Sequence, residues 1–194
     1  MNNKKIILAS ASPRRKDILS NLGLKFEIIP SDIEENIENQ SFSKELIEKL
    51  ALDKVTDVRK RIDYPALIIG SDTVVVVGDR ILGKPKNKED AFNMLKLLSG
   101  KTHEVISAIA IMDSENNKIL TDSVVSKVTF KELSDSEINN YIATGEPMDK
   151  AGAYAIQGFA SIFISTICGC YTNIVGISAY KLAQMLKEFG ITIL

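Results

Sequence analysis

One carboxylate stands where packing gives it no reason to be. Ala66-Leu67-Ile68-Ile69 and Val74-Val75-Val76-Val77 each read as a buried or half-buried strand, and Gly70-Ser71-Asp72-Thr73 lies between them. Burying an unpaired carboxylate is expensive, so Asp72 is the leading functional candidate. The side chains that suit an anionic ligand are scattered along the rest of the chain. Ser10-Ala11-Ser12-Pro13-Arg14-Arg15 combines a hydroxyl-rich turn with two guanidinium forks at a helix start, groups matched to phosphate oxygens. The same residues also read as an ordinary capped helix with solvated arginines. Lys84 sits in Gly83-Lys84-Pro85, where glycine allows close backbone approach and proline stiffens the turn. Asp149-Lys150 is either a phosphate- and metal-facing pair or an exposed ion pair of little energetic weight. Gln157, beside Gly158, carries both a donor and an acceptor, which is what reading a base edge requires.

The elements that hold these groups follow from periodicity. Lys5–Ala9 reads as a strand, and Ser12 with Pro13 marks the cap and first position of a helix ending at Gly23. Phe26–Ile29 reads as a second strand, followed by Ser31-Asp32-Ile33-Glu34-Glu35 and a polar loop. That acidic run is ordinary wet surface unless the fold brings one carboxylate toward Asp72. Ser43 caps a long helix whose apolar side is Leu46, Ile47, Leu50, Ala51, Val55 and Val58. Lys54 borders that side, as a surface lysine or as one leaning from the core edge into a cleft. Asn87 caps a helix stopped by Ser99-Gly100. Strands are expected over 105–112 and 119–130, with Val124, Ser126, Val128 and Phe130 on one face. Ser134 and Glu137 form a capping-box pattern for a helix through Ala143. A strand is expected over 162–164, a loop over 168–173, and a last helix over 177–189. His103, the single histidine, has no Cys beside it and reads as a hydrogen-bonded structural residue.

Composition narrows the partners. The 194 residues carry 24 basic and 25 acidic side chains, a formal net charge of -1, so the chain presents no global field to a nucleic acid polymer. Hydrophobic residues at 45% with 25% charged suit a folded chain with a substantial core. The apolar run after Lys5 is too short for a signal sequence or a membrane span, so a cytoplasmic protein with no membrane partner is expected. Cys168 and Cys170, one glycine apart, make no disulfide framework, and a single histidine does not complete a zinc site with them. No repeat or interdomain linker is evident, and a single domain over 1–194 is expected.

Taken together, Leu8-Ala9-Ser10-Ala11-Ser12-Pro13-Arg14-Arg15, Ser71-Asp72-Thr73, Gly83-Lys84-Pro85, Asp149-Lys150-Ala151-Gly152-Ala153-Tyr154, Gln157-Gly158 and Asn173-Ile174-Val175-Gly176 resemble the Maf family of nucleotide pyrophosphatases. The resemblance covers essentially the whole chain. It implies an α/β fold with an elongated, mixed, twisted sheet flanked by helices and two lobes about a central cleft, like the inosine triphosphate pyrophosphatase architecture. It also implies hydrolysis of a nucleoside triphosphate between the α and β phosphates. Asp72 matches the family's catalytic carboxylate, a proton acceptor there, and Glu35 the second acidic position. Lys54 and Lys84 match the cleft lysines, and Ser10 and Arg15 the phosphate-binding turn. Arg14, Thr73 and Gln157 match positions that mark the dTTP/UTP branch, whereas the 7-methyl-GTP branch typically has tryptophan in place of Arg14. Family members are often dimeric, so a homodimer is expected.

On that basis water attacks the α phosphorus and pyrophosphate leaves. Arg15, Lys54 and Lys84 offset part of the substrate's charge. A hard divalent cation, Mg²⁺ or Mn²⁺, is expected on Asp72, Glu35 and phosphate oxygens. Two alternatives stay open: a pyrophosphatase for modified or non-canonical nucleotides, and a catalytically weak nucleotide-binding regulator of cell division.

Overall fold

The computed structural model describes residues 4–33 and 42–194. Strand β1 (Lys5–Leu8) leads through helix α1 (Pro13–Asn21) to β2 (Phe26–Ile28). Helix α2 (Lys44–Lys60) precedes β3 (Ala66–Val77), β4 (Arg80–Leu82) and α3 (Lys88–Leu98). Two long strands follow, β5 (Thr102–Asp113) and β6 (Ile119–Phe130), and then α4 (Asp135–Ala143). Three short 3-10 turns, Glu146–Asp149, Ala151–Ala153 and Phe159–Phe163, lead to β7 (Ile164–Cys168), α5 (Tyr171–Val175) and α6 (Ala179–Lys187).

The seven strands form one mixed sheet in the order β2-β1-β3-β5-β6-β7, with β4 paired to β3. β1 runs parallel to β2 and β3, and the other pairings are antiparallel. Helices cover both faces, as expected for the fold. On one face, α2 packs Ile47, Leu50, Ala51, Val55 and Val58 against Ile68, Val74, Val76 and the even-numbered side chains of β5. The other face holds α1, α3, α4 and α6 against Leu67, Ile69 and Val75. The period of two in a strand therefore sends Gly70 and Asp72 toward α2, and Ser71 and Thr73 toward α1 and α5.

The two apolar runs of the central segment are one 12-residue strand that passes straight through Asp72. Its two edges are used unequally. β5 pairs with β3 continuously from Leu67 to Val76. On the opposite edge β1 stops at Ile69 and β4 begins at Val75. Residues 70–74 thus face a gap between two strand ends, and the sheet opens at that point.

Local signals predicted most helix starts. Ser43 accepts from the Leu46 amide, Asn87 from Asp90, and Ser134 with Glu137 forms the full capping box. Three expectations need correction. Residues 159–163 form a 3-10 turn, because Gly158 takes a positive φ of 125° and Ala160 and Phe163 turn inward at helical spacing. The stretch 168–173 is the end of β7 and the start of α5, and the final helix begins only at Ala179 because Ser178 caps it. Val124 shares its strand face with Ser126, Val128 and Phe130 as expected, and is half-buried there. Among the described residues, no helix is long and apolar enough to cross a membrane.

Candidate active site

A cavity of about 440 Å³ opens at the gap beside β3. It reaches both faces of the sheet there, so neighbouring residues of opposite orientation, Asp72 and Thr73, both line it. Ser10, Arg14, Arg15, Lys54, Lys84, Asp149, Lys150 and Gln157 line it too. The structure thus gathers every residue singled out from sequence except Glu35, which lies outside the described residues.

The floor is an ion pair. Lys54, from the middle of α2, donates to Asp72 Oδ1 and, at 3.4 Å, to the Ser71 carbonyl. Lys54 is 5% exposed and Asp72 2%, so the lysine is a core residue turned to the cavity rather than a surface one. A buried pair of this kind is weak support for stability, because desolvation offsets most of the Coulomb gain. Gly70 makes the pairing reachable. A Cβ there would lie 2.7 Å from Val55 Cγ1 and 2.8 Å from the Ala51 carbonyl oxygen, so α2 sits directly against bare backbone.

On the other face, Arg15 is a clamp. Its Nε donates to the Gly176 carbonyl at 3.0 Å, Nη1 to Ser10 Oγ at 3.1 Å and Nη2 to Thr73 Oγ1 at 3.1 Å. The Gly176 carbonyl also accepts from Ser71 Oγ at 3.0 Å and Thr73 Oγ1 at 3.1 Å. Thr73 Oγ1 lies 2.8 Å from Ser107 Oγ, which donates to the Asn173 carbonyl at 2.8 Å. The α1 turn, β3, β5 and α5 are therefore tied through one guanidinium and a set of hydroxyls. Ser12 occupies the cap position of α1 without a side-chain capping bond; its amide instead donates to Ser10 Oγ at 3.2 Å. Sequence reasoning missed Ser71, Ser107 and the Gly176 carbonyl. The only signal for Ser71 was that it shares a strand face with Thr73.

The far wall comes from the turns after β4 and α4. Gly83 is held by the Gly152 amide at 2.9 Å, which brings the Lys84 turn alongside the 3-10 turn at Ala151–Ala153. Asp149 and Lys150 form an ion pair at the rim. Burial works to raise the Asp149 carboxyl, but Lys150 and the charge of Arg14 outweigh it and hold it below the usual range. Tyr154 lines the cavity and bonds His103 Nε2 at 2.7 Å. Burial lowers the His103 pKa to about 4, so the ring is neutral. It packs edge-on to Phe130 and Tyr154 away from the cavity, as a structural residue.

Among the described lining residues, five basic side chains face two carboxylates, a balance suited to a polyphosphate. No cluster of three or more His, Cys, Asp or Glu that could hold a metal exists among the described residues. The donors present are oxygens, with one buried carboxylate at the floor. That set fits a hard divalent cation completing its shell with phosphate oxygens and water, and does not fit a softer metal.

Known proteins resemble this chain over nearly its whole length. A dTTP/UTP pyrophosphatase of Desulforamulus reducens is 50% identical over 188 residues, covering 97% of this chain and 98% of that protein. A dTTP/UTP pyrophosphatase of Alkaliphilus metalliredigens is 50% identical over 192 residues, covering 98% of this chain and all of that protein (100%). A solved HAM1 protein from Coxiella burnetii aligns with a TM-score of 0.49 and 20% identity, over 95% of this chain and 99% of that one. The Maf-like protein family matches residues 5–189, and this chain belongs to that family.

Proposed function

We propose that this protein is a nucleoside triphosphate pyrophosphatase that hydrolyses dTTP and UTP to the nucleoside monophosphate and pyrophosphate. The observation that carries the reading is the buried Asp72–Lys54 pair at the floor of a cavity whose other charged walls are mainly basic. Relatives at about half identity over nearly the full chain, named for the same activity, support it.

Water attacks the α phosphorus as the bond from that phosphorus to the α–β bridging oxygen breaks, and pyrophosphate leaves. Asp72 orients the water and takes up its proton. Lys54 fixes the carboxylate from beneath and offsets charge at the reacting centre. Arg14, Lys84 and Lys150 neutralise the phosphates, with Ser10 and the amides of the α1 turn as further donors. Arg15 acts by holding Ser10 and Thr73 in place. Thr73, Arg14 and Gln157 set the choice of base. Asp72 and Glu35 are the residues that would hold Mg²⁺ or Mn²⁺, which when bound neutralises phosphate charge and polarises the phosphoryl group. A carboxylate in contact with a metal is a weak base, so the two roles compete for Asp72. We further propose a single domain over residues 1–194, a cytoplasmic location and a homodimer.

The test is pyrophosphate release from dTTP, UTP, CTP and 7-methyl-GTP in Mg²⁺ or Mn²⁺. Highest kcat/KM for dTTP and UTP supports the proposal. Preference for 7-methyl-GTP, or tight nucleotide binding without pyrophosphate release, overturns it.

A further inference from the structure

Gln157 stands exposed on the cavity rim, and one residue further on the Gly158–Phe159 peptide is gripped from two sides. The Gly158 carbonyl accepts from Ser161 Oγ at 2.6 Å and the Ser161 amide at 3.1 Å. The next amide, that of Phe159, donates to Glu146 Oε2 at 3.1 Å. Glu146 lies outside the cavity, in the 3-10 turn that follows α4. Its other oxygen, Oε1, accepts from the Tyr141 hydroxyl at 3.0 Å. The carboxylate also lies flat beneath Gly158, where a Cβ would come within 2.6 Å of Oε2 and 2.9 Å of Oε1. Gly158 has φ 125° and ψ −155°, a conformation that L side chains rarely adopt. The loop is therefore shaped around this carboxylate.

Tyr141 makes the carboxylate itself rigid. Its ring is buried edge-on against Phe163, with centroids 5.3 Å apart. Burial, and then the negative charge of Glu146, push its hydroxyl pKa well above the usual value, so it stays a donor across the working range.

We propose that Glu146 is a positioning residue that sets Gln157 at the cavity rim and so fixes discrimination between pyrimidine bases. The inference rests on the proposed reading of Gln157 as a base-recognising residue. An amide can reward thymine or uracil and penalise cytosine only if its donor and acceptor are held in one orientation. Glu146 supplies that constraint through backbone, without touching the nucleotide.

The test has an arm that does not depend on turnover. Amide hydrogen exchange at Phe159, read by NMR, is expected to be protected in the natural protein and at least about tenfold faster in E146A. In kinetics, E146A is expected to raise KM for dTTP and UTP about tenfold, to leave kcat within about twofold, and to shrink the dTTP-to-CTP ratio of kcat/KM about tenfold. E146Q is expected to recover most of the loss, because its amide oxygen can accept from Phe159 and its amide nitrogen can donate to Tyr141. Y141F keeps the buried ring and serves if E146A fails to fold; a smaller shift of the same sign is expected. Unchanged exchange at Phe159, an unchanged dTTP-to-CTP ratio in a folded variant, or E146Q as impaired as E146A overturns the proposal. Faster exchange in E146A together with a natural protein that does not prefer dTTP and UTP overturns the substrate reading instead.

Discussion

Gly70→Ala tests how the site is built at its tightest point. The added methyl would sit 2.7 Å from Val55 Cγ1, 2.8 Å from the Ala51 carbonyl oxygen and 3.5 Å from Lys54 Cβ. Carbon atoms pack comfortably at roughly 3.5–4.0 Å, so α2 must back away from β3 by about 1 Å. The carbonyl belongs to helix backbone and has no rotamer to escape into. Overpacking of this kind costs about 1–3 kcal/mol. For a chain of this size, about 2 kcal/mol lowers Tm by roughly 4–8 °C. The functional effect is larger in proportion, because α2 carries Lys54 and the shift draws its ammonium off Asp72. A misplacement of about 1 Å at a reacting centre is worth about 100-fold in rate. Thermal unfolding by circular dichroism and pyrophosphate release from dTTP measure the two effects separately. Val55→Ala in the same background removes one of the two close contacts and leaves the carbonyl. The double variant is therefore expected to lose about 1 kcal/mol less than the sum of the single variants. G70A that melts within about 1 °C of the natural protein and turns over normally would refute the argument that bare backbone at this position seats Lys54.

Three further outcomes follow from the same geometry. Asp72→Asn is expected to fold, by far-UV circular dichroism, and to lose at least about 1,000-fold in kcat; near-normal kcat removes Asp72 from the mechanism. Arg15→Lys replaces a fork that serves Ser10, Thr73 and Gly176 at once with one compact ammonium, so kcat/KM is expected to fall at least about tenfold, and unchanged kinetics would remove the clamp. His103 titrates at about 4 when folded, below its ordinary value near 6.5, so the unfolded chain binds the extra proton first as pH falls. The stability it contributes is complete above about pH 6.5 and is lost toward pH 4, with about 2 kcal/mol gone at pH 5. Urea unfolding at pH 7 and pH 5 checks this, and His103→Gln is expected to flatten that part of the difference; an equal pH dependence in the variant would contradict it.

Much of the local architecture is written in neighbouring residues. Ser43, Asn87 and the Ser134–Glu137 box announced their helices because a cap needs only the amides three positions on. Asp72 was conspicuous for the same kind of reason, as a carboxylate inside an apolar strand. The sequence also supplied the chemical inventory of the cavity, apart from the hydroxyls and the carbonyl that brace it. What it left undetermined was who meets whom. Lys54 finds Asp72 across 18 residues, Arg15 finds Thr73 across 58 and Gly176 across 161. Glu146 reaches Phe159 across 13 residues. The gap beside residues 70–74 exists only because two separate strands end there on one edge of a third. Capping and periodicity are decided within a few residues, by hydrogen bonds and side-chain direction. Cavities and buried pairs are decided by how the sheet brings distant segments together, and no short window of sequence contains that information.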